Sequence, residues 1–199
     1  ENRAFRVLHE AEPLDVIVRF AMAELDSAAP YLHSISTIRL ATILETAVDD
    51  SCLEALTKRP ASWQTDALRK LRGPLIEFAS ADEGQRAEYL LDALAQELRA
   101  KLKTGVGRYE AVLDAFGLGG GIHDEARRAL LEMIEIRNCL IHRNGRVDTR
   151  LTRVCPWLQL ERGGIVGISR KAFDAYWAAV RYYLREILVR WYRVMNVHA

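Results

Sequence analysis

The chain has 199 residues, of which 50% are hydrophobic and 28% are charged. This length and composition suit one domain with a sizeable core and argue against a disordered chain. No apolar run approaches the roughly 20 residues of a membrane span, and the N-terminus lacks the charged-then-apolar pattern of a signal peptide. The three cysteines are far apart, as is typical of reduced thiols. We therefore expect a cytoplasmic protein that makes no contact with a membrane.

Proline, glycine and capping residues divide the first 116 residues into predicted helices. The first two helices are predicted over 14–29 and over 36–58, the second with Ser36 as its cap. The third starts near 60 and breaks at 73–74, the fourth opens at 82–83, and the fifth is short and ends at 116. We expect the second helix to turn Ile35, Ile38, Ile43 and Leu44 inward. The glycine-rich connector 117–121 follows, and we interpret it as a hinge between helices.

The residues after this connector predict one long helix and then a segment of different character. Asp124 and Glu125 favour a helix N-terminus, and a helix is predicted over 124–142 with Asn144-Gly145 as its C-terminal stop. The pattern of residues 157–168, with Gly163-Gly164 at a turn, then predicts a small β-hairpin.

The final predicted helix is capped by Ser169 and runs to about Asn196, with an apolar stripe of period near 3.6. We expect this stripe to pack in the core or in a dimer. Its members are Phe173, Trp177, Val180, Leu184, Ile187, Leu188, Trp191 and Met195. The sequence as a whole predicts an all-α fold, a helical bundle of five to seven helices with a small β-hairpin insert near 157–168. Residues 1–199 form a single domain, with N-terminal helices over 1–120 and the motif helix, the hairpin and the final helix over 122–196.

The predicted helix 124–142 carries an arginine in the middle of its apolar face. Successive helical residues turn by about 100°, which puts Arg137 about 20° from Leu130, Asn138 at about 80° and His142 at about 120°. An unpaired guanidinium in a core costs several kcal/mol, so Arg137 needs a partner: a buried carboxylate, a helix C-terminus or a cleft that admits an anion. Alternatively, His142 is only a favourable charge at the helix end, and Asn138 only a surface residue.

The segment Arg137-Asn138-Cys139-Leu140-Ile141-His142 resembles the Arg-x(4–6)-His motif of the HEPN superfamily, with the usual polar residue directly after the arginine. The residues that follow, up to Asp148, are similar to the "H-x-x-G-x-V-D" of family members. A proline, a glycine turn and a final amphipathic helix come next in those relatives, as they do here. The detailed resemblance covers about residues 122–195, and the N-terminal 120 residues match only as generic helices.

The resemblance implies a dimer whose two motifs face each other across a cleft and cleave RNA without a metal. Catalytic relatives leave a 2′,3′-cyclic phosphate and a 5′-OH. In this chain His142 would transfer protons, Arg137 would hold the phosphate oxygens, and Asn138 would orient the ribose or the phosphate. The implied function is an endoribonuclease, acting as a toxin of a toxin–antitoxin pair or as an antiviral defence effector. The alternative is a non-catalytic HEPN domain that binds nucleotide, RNA or a partner protein.

Positive charge is concentrated near the predicted motif and after it. Residues 137–199 hold 12 of the 28 basic side chains and 4 of the 27 acidic ones. Clustered arginines attract polyanions, so we expect Arg143, Arg146, Arg150 and Arg153 to bind RNA beside the motif. A solvated outer face of the last helix is the other reading. No cofactor is expected, and no metal, because the histidines lack the paired spacing of metal sites. They are His9, His33, His123, His142 and His198.

Overall fold

The computed structural model describes residues 13–26, 29–100 and 105–196. In these ranges the chain forms nine α-helices and no β-strand, so the predicted all-α fold is confirmed. The helices are α1 (Pro13–Asp26), α2 (Pro30–Lys58), α3 (Asp66–Arg69), α4 (Leu75–Ser80), α5 (Glu83–Ala100), α6 (Val106–Asp114), α7 (Asp124–His142), α8 (Thr149–Val154) and α9 (Arg170–Asn196). None of the helices in the described part of the chain is long and apolar enough to cross a bilayer.

Nine helices exceed the five to seven that the sequence predicts, because three of them are short. Proline and glycine divide the segment before α5 into a 3-10 turn at Pro60–Gln64, α3 and α4. The helix α8 has six residues and starts at Asp148, whose carboxylate accepts a hydrogen bond from the backbone N–H of Leu151 at 2.8 Å.

The core lies where α2, α7 and α9 pack against one another, with α5 and α6 against α2. Leu44 of α2, Leu130 and Met133 of α7 and Tyr183 of α9 are all fully buried. Burial of each such aliphatic side chain contributes about 1.5–3 kcal/mol. The three long helices therefore form a frame that holds the end of α7 in place.

Local capping signals predicted two helix starts correctly. At α5, the N–H of Gln85 donates to Asp82 Oδ1 at 2.8 Å and the N–H of Asp82 donates to Gln85 Oε1 at 3.0 Å, which is a capping box. At α9, the N–H of Ala172 donates to Ser169 Oγ at 3.2 Å.

The start of α2 and its buried face differ from the prediction. The helix begins at Pro30, because a proline fits the first helical position, and Ser36 lies inside it. Leu44 is buried as predicted, but Ile35 and Ile43 are 46% and 39% exposed. The inward face is set by contact with α5, α6, α7 and α9, which the helical period of α2 alone does not specify.

The predicted β-hairpin over 157–168 is wrong. Its first half is a 3-10 turn, Pro156–Leu158, and its second half pairs with the turn after α7. The N–H of Gly163 donates to Val147 O at 2.9 Å, and the N–H of Val166 donates to Gly145 O at 2.8 Å. The turn after α7 offers unpaired backbone groups and these bonds satisfy them, which leaves 157–160 without a strand partner.

The connector 117–121 is held by α9 and is not a free hinge. Leu118 is fully buried, and the guanidinium of Arg190 donates to Leu118 O at 3.4 Å and to Gly121 O at 2.9 Å. Glu110 of α6 neutralises this buried arginine at 2.8 Å. Gly120 allows the close approach of the connector to Arg190, because a Cβ atom at this position would lie 2.7 Å from the Arg190 guanidinium.

Candidate functional site

The bounds of α7, Asp124–His142, agree with the prediction, and so does the stop after it. Asn144 and Gly145 have φ values of 50° and 73°, and the N–H of Gly145 donates to Cys139 O at 3.0 Å. Glycine takes this left-handed conformation without steric cost. The stop places His142 in the last turn of α7, with its side chain exposed.

Arg137, Asn138 and His142 all line one cavity of about 750 Å³. Its other walls come from α2, α5 and α6, so the three predicted catalytic side chains share a space with residues far away in sequence. Its polar lining residues outside α7 are Glu45, Asp49, Glu88, Asp92, Arg108 and Tyr109. We call this space the motif cavity.

Arg137 has a carboxylate partner and also faces the cavity. Its Nη2 lies 3.1 Å from Glu45 Oε2 on α2, and its Nη1 donates to Asn138 Oδ1 at 3.3 Å. The side chain of Arg137 is 22% exposed, and its Nε atom is buried without a hydrogen-bond partner in the described residues. Of the alternatives that the sequence left open for Arg137, the structure shows the carboxylate partner, and the guanidinium also lines an open cavity.

Tyr109 of α6 extends this polar chain. Its hydroxyl donates to Glu45 Oε1 at 3.2 Å, so Glu45 accepts from Tyr109 with one oxygen and from Arg137 with the other. Burial, then the charge of Glu45, raises the pKa of Tyr109 well above its ordinary value. The phenol therefore stays protonated and helps to hold the carboxylate in the position where it orients Arg137.

The motif cavity is rich in carboxylates. Glu45 and Asp49 of α2, and Glu88 and Asp92 of α5, face Arg108, Arg137 and His142. Asp49 is exposed, but its partial loss of solvent raises its pKa, and the neighbouring charge of Glu45 raises it further. The cavity has four carboxylates and two guanidinium groups, so the wall formed by α2 and α5 repels anions. The positive charge lies on the opposite walls, with Arg108 on α6 and Arg137 on α7.

A second cavity, of about 550 Å³, lies on the C-terminal side of the motif. It is lined by Arg143, Arg146, Arg150 and Arg162, with Asp148 as its one carboxylate. We call it the arginine depression. Three of the four arginines predicted to bind RNA line it.

The fourth predicted arginine, Arg153, is exposed on α8 and does not line the arginine depression. Arg150 lines it but is already engaged, since its Nε and Nη2 donate to the two oxygens of Glu135 at 2.6 and 2.8 Å. The side chain of Glu135 is only 1% exposed. Arg150 thus neutralises a buried carboxylate, and its charge is less available to a ligand than that of its neighbours.

Glu132 and Glu135 of α7 are largely removed from solvent, with side chains that are 16% and 1% exposed. Glu132 accepts hydrogen bonds from the indole of Trp157 and from the hydroxyl of Tyr176, the latter at 3.5 Å. These two bonds hold the segment after α8 and the helix α9 against the motif helix α7. The ion pair of Glu135 with Arg150 does the same for α8. Neither carboxylate lines the motif cavity.

Several site residues were not predicted from the sequence, above all Glu45, Asp49, Arg108, Tyr109 and Arg162. One signal was present: acidic residues recur four positions apart on α2 (Glu45 and Asp49) and on α5 (Glu88 and Asp92). Like charges at this spacing destabilise an isolated helix and so mark a face with another purpose. No comparable signal pointed to Tyr109 or Arg162.

In the described ranges no three histidine, cysteine or carboxylate side chains are arranged to hold a metal ion. His33 instead stacks on Phe173, and His123 lies against Tyr182. His9 and His198 lie outside the described residues.

No protein-family model, curated protein or solved structure matches this chain significantly. The functional conclusion therefore depends on the residues of the site and their geometry.

Proposed function

We propose that this protein is a HEPN-type, metal-independent endoribonuclease that acts as a homodimer in the cytoplasm. One observation carries the proposal: Arg137, Asn138 and His142, the residues of the Arg-x(4)-His motif, line the same cavity. His142 is exposed there, so a substrate can reach its imidazole. The proposed role is that of a toxin or an antiviral defence effector, in the first case with a cognate antitoxin as partner.

The residue types suit transesterification of RNA. The ribose 2′-oxygen attacks the phosphorus, the bond to the 5′-oxygen breaks, and the products are a 2′,3′-cyclic phosphate and a 5′-OH. His142 takes the proton from the 2′-OH or gives one to the leaving oxygen, because an imidazole ring has one nitrogen that accepts a proton and one that donates it. In the proposed dimer the two copies of His142 divide these two roles.

Arg137 would stabilise the negative charge that builds on the phosphorane oxygens. The bonds from Glu45 and Asn138 support this role, because a guanidinium that is held in advance loses little entropy when the substrate binds. Asn138, whose Oδ1 accepts from Arg137, has its amide N–H groups left to orient the ribose or the phosphate.

A second candidate is a non-catalytic HEPN domain that binds nucleotide, RNA or a partner protein. The observation in its favour is the carboxylate wall, because Glu45 already neutralises Arg137 and further acidic groups flank it. Because this wall repels phosphates, it favours a basic surface of a partner protein over nucleotide or RNA as the ligand, and His142 would perform no chemistry.

Cleavage of RNA by His142→Ala separates the two candidates. We expect wild type to cleave RNA in the presence of EDTA and to leave a cyclic phosphate, and a 2′-deoxy group at the cut site to block cleavage. His142→Ala should lose about 10²–10⁴-fold in rate while RNA affinity is retained, because only the proton transfer is removed. Arg137→Ala should lose both rate and stability.

His123→Ala is the matched control, since His123 is an exposed histidine at the other end of the same helix. Its cleavage rate should equal that of wild type. If wild type cleaves no RNA between about pH 6 and 8, the nuclease proposal is refuted and the non-catalytic candidate takes its place. If His142→Ala cleaves as fast as wild type, the proposed role of the motif is refuted, and the resemblance informs the fold only.

A further inference from the structure

The arginine depression has no role in the polar chain that holds Arg137. It is built around the turn after α7, where Gly163 and Gly145 take part in the backbone pairing that joins 145–147 to 163–166. This pairing brings Arg162 next to Arg143 and Arg146, although 16 residues separate Arg162 from Arg146 in the sequence. The tertiary fold therefore creates this concentration of positive charge.

The individual arginines differ in how free their charge is. Arg150 is held by the buried carboxylate of Glu135, and Arg143 has a weak partner in Asp148, 3.9 Å away and 31% exposed. Arg146 donates one hydrogen bond to the carbonyl of Gly163 at 3.3 Å. Arg162 is exposed and makes no ion pair within the described part of the chain. Arg143, Arg146 and Arg162 are thus available to an anion.

The charge changes sign across the end of α7. His142 lines the motif cavity with its four carboxylates, and the next residue, Arg143, lines the arginine depression. Consecutive Cα atoms are about 3.8 Å apart, so the two cavities are neighbours at this point. A polyanion is repelled by the wall formed by α2 and α5 and attracted by the depression.

We propose that the arginine depression binds the phosphodiester backbone of RNA next to the scissile phosphate, and that the strand approaches His142 from this side. This inference rests on the proposed function for the identity of the reacting phosphate. Guanidinium groups bind phosphate oxygens in a bidentate fork, and three of them in one concave surface match successive backbone phosphates better than a single small anion. In this arrangement the arginine depression provides binding affinity for RNA, and the motif residues perform the cleavage.

The test is the salt dependence of binding to a fluorescently labelled single-stranded RNA with 2′-O-methyl groups, which cannot be cleaved by transesterification. For single strands the slope of log K against log salt is about −0.7 for each phosphate contact. Arg162→Ala should make the slope shallower by about 0.7, and the triple change Arg143→Ala, Arg146→Ala and Arg162→Ala by about 2. Arg162→Lys should retain the slope of wild type, because it keeps the charge.

Arg69→Ala is the matched control. Arg69 is an exposed arginine of α3 that lines neither cavity, and its loss changes the net charge by the same amount. Its slope should equal that of wild type. Arg162 is exposed, so its variants are expected to fold. Arg150 is left unchanged, because its loss would leave the buried carboxylate of Glu135 without a counterion.

Each outcome distinguishes this inference from the proposed function. If wild type cleaves RNA but Arg162→Ala and the triple variant keep the wild-type slope, the inference is wrong and the nuclease proposal stands. If the slopes become shallower as expected but wild type cleaves no RNA, the arginine depression is the RNA-binding site of a non-catalytic domain. The inference is overturned if the 2′-O-methyl RNA does not bind wild type. It is also overturned if Arg69→Ala makes the slope as shallow as Arg162→Ala does.

Discussion

Arg137 lies near the centre of the face of α7 that the helical period marks as apolar, and it remains there because two neighbours satisfy it. Glu45 provides a charge at 3.1 Å and Asn138 an amide oxygen at 3.3 Å. A partly buried ion pair of this kind costs desolvation and contributes little net stability. Its retention in the wall of a cavity is more readily explained by a need to present the guanidinium to a ligand.

Arg150 and Glu135 make the most deeply buried carboxylate contact of the motif helix. Arg150→Ala should lower the free energy of unfolding by about 2–3 kcal/mol, because it leaves the Glu135 charge buried without a counterion. Urea unfolding followed by circular dichroism measures this. Arg143→Ala is the control: its partner Asp148 is 3.9 Å away and its own side chain is 64% exposed, so the change should stay within about 0.5 kcal/mol. Equal losses in the two variants would refute the structural role of Arg150.

Asp49 makes stability depend on pH. The pKa of Asp49 is raised in the folded protein by burial and by Glu45, so the folded state binds this proton more tightly than the unfolded chain does. The stability gained from that proton is complete below the ordinary value of 3.8 and is lost as pH rises through the raised pKa. Asp49→Asn should therefore be more stable than wild type at pH 7, by no more than about 1 kcal/mol.

Unfolding at a series of pH values checks this prediction. The advantage of Asp49→Asn should shrink as pH falls and vanish near the ordinary pKa of the carboxyl, because both proteins are then uncharged at this position. An advantage that stays constant across the acidic range would show that the amide acts by some route other than the charge of Asp49.

At the scale of the elements, the connector between α6 and α7 depends on the last helix. A Cβ atom on Gly120 would lie 2.7 Å from Cζ of Arg190, a side chain that is itself fixed by Glu110. Gly120→Ala should therefore lower the free energy of unfolding by about 1–3 kcal/mol, as overpacking does. Thermal unfolding is the measurement.

The neighbouring Gly121 provides the control for this prediction. A Cβ atom on Gly121 would meet nothing within 4 Å, so Gly121→Ala should be close to neutral. Because both substitutions add the same methyl group to the same connector, a difference between them isolates the contact with Arg190. Similar stability of the two variants would contradict an anchored connector.

At the scale of the whole molecule, several large apolar side chains remain uncovered. Ile141, inside the motif, is 45% exposed, and Trp177 and Leu188 on α9 are 49% and 65% exposed. Large apolar side chains that are left exposed are typical of interaction sites when neighbouring ones form a patch, and Trp177 and Leu188 share one face of α9 because eleven residues make about three helical turns. These positions suit the homodimer proposed above, in which a second copy covers the end of α7 and the outer face of α9.

We predict a homodimer at micromolar concentration, measured by light scattering. Leu188→Arg should shift the protein towards a monomer and lower RNA cleavage while the fold is kept, because a charge buried at an interface is costly. Ile76→Arg, at a side chain of α4 that is 84% exposed, should change neither property. A wild-type monomer would refute the dimer, and a dimeric Leu188→Arg would place the interface elsewhere.

The sequence by itself determined the all-α class, the bounds of α7, the stop at Asn144-Gly145 and the cap at Ser169. These features depend on groups within a few residues of one another, such as caps, glycine conformations and the helical period, so they can be read locally. The motif itself was readable for the same reason, since Arg137, Asn138 and His142 all lie in the last two turns of one helix.

Only the tertiary structure decided what surrounds the motif. Glu45 lies 92 residues from Arg137, and nothing local in α2 marks it as the partner of that guanidinium. Long-range contacts also decide two other features. Residues 163–166 pair with 145–147 and do not form a hairpin, and Glu135 is buried against Arg150. Such contacts are selected by the packing of whole helices, because each buried polar group accepts whichever partner the assembled core brings within hydrogen-bonding distance.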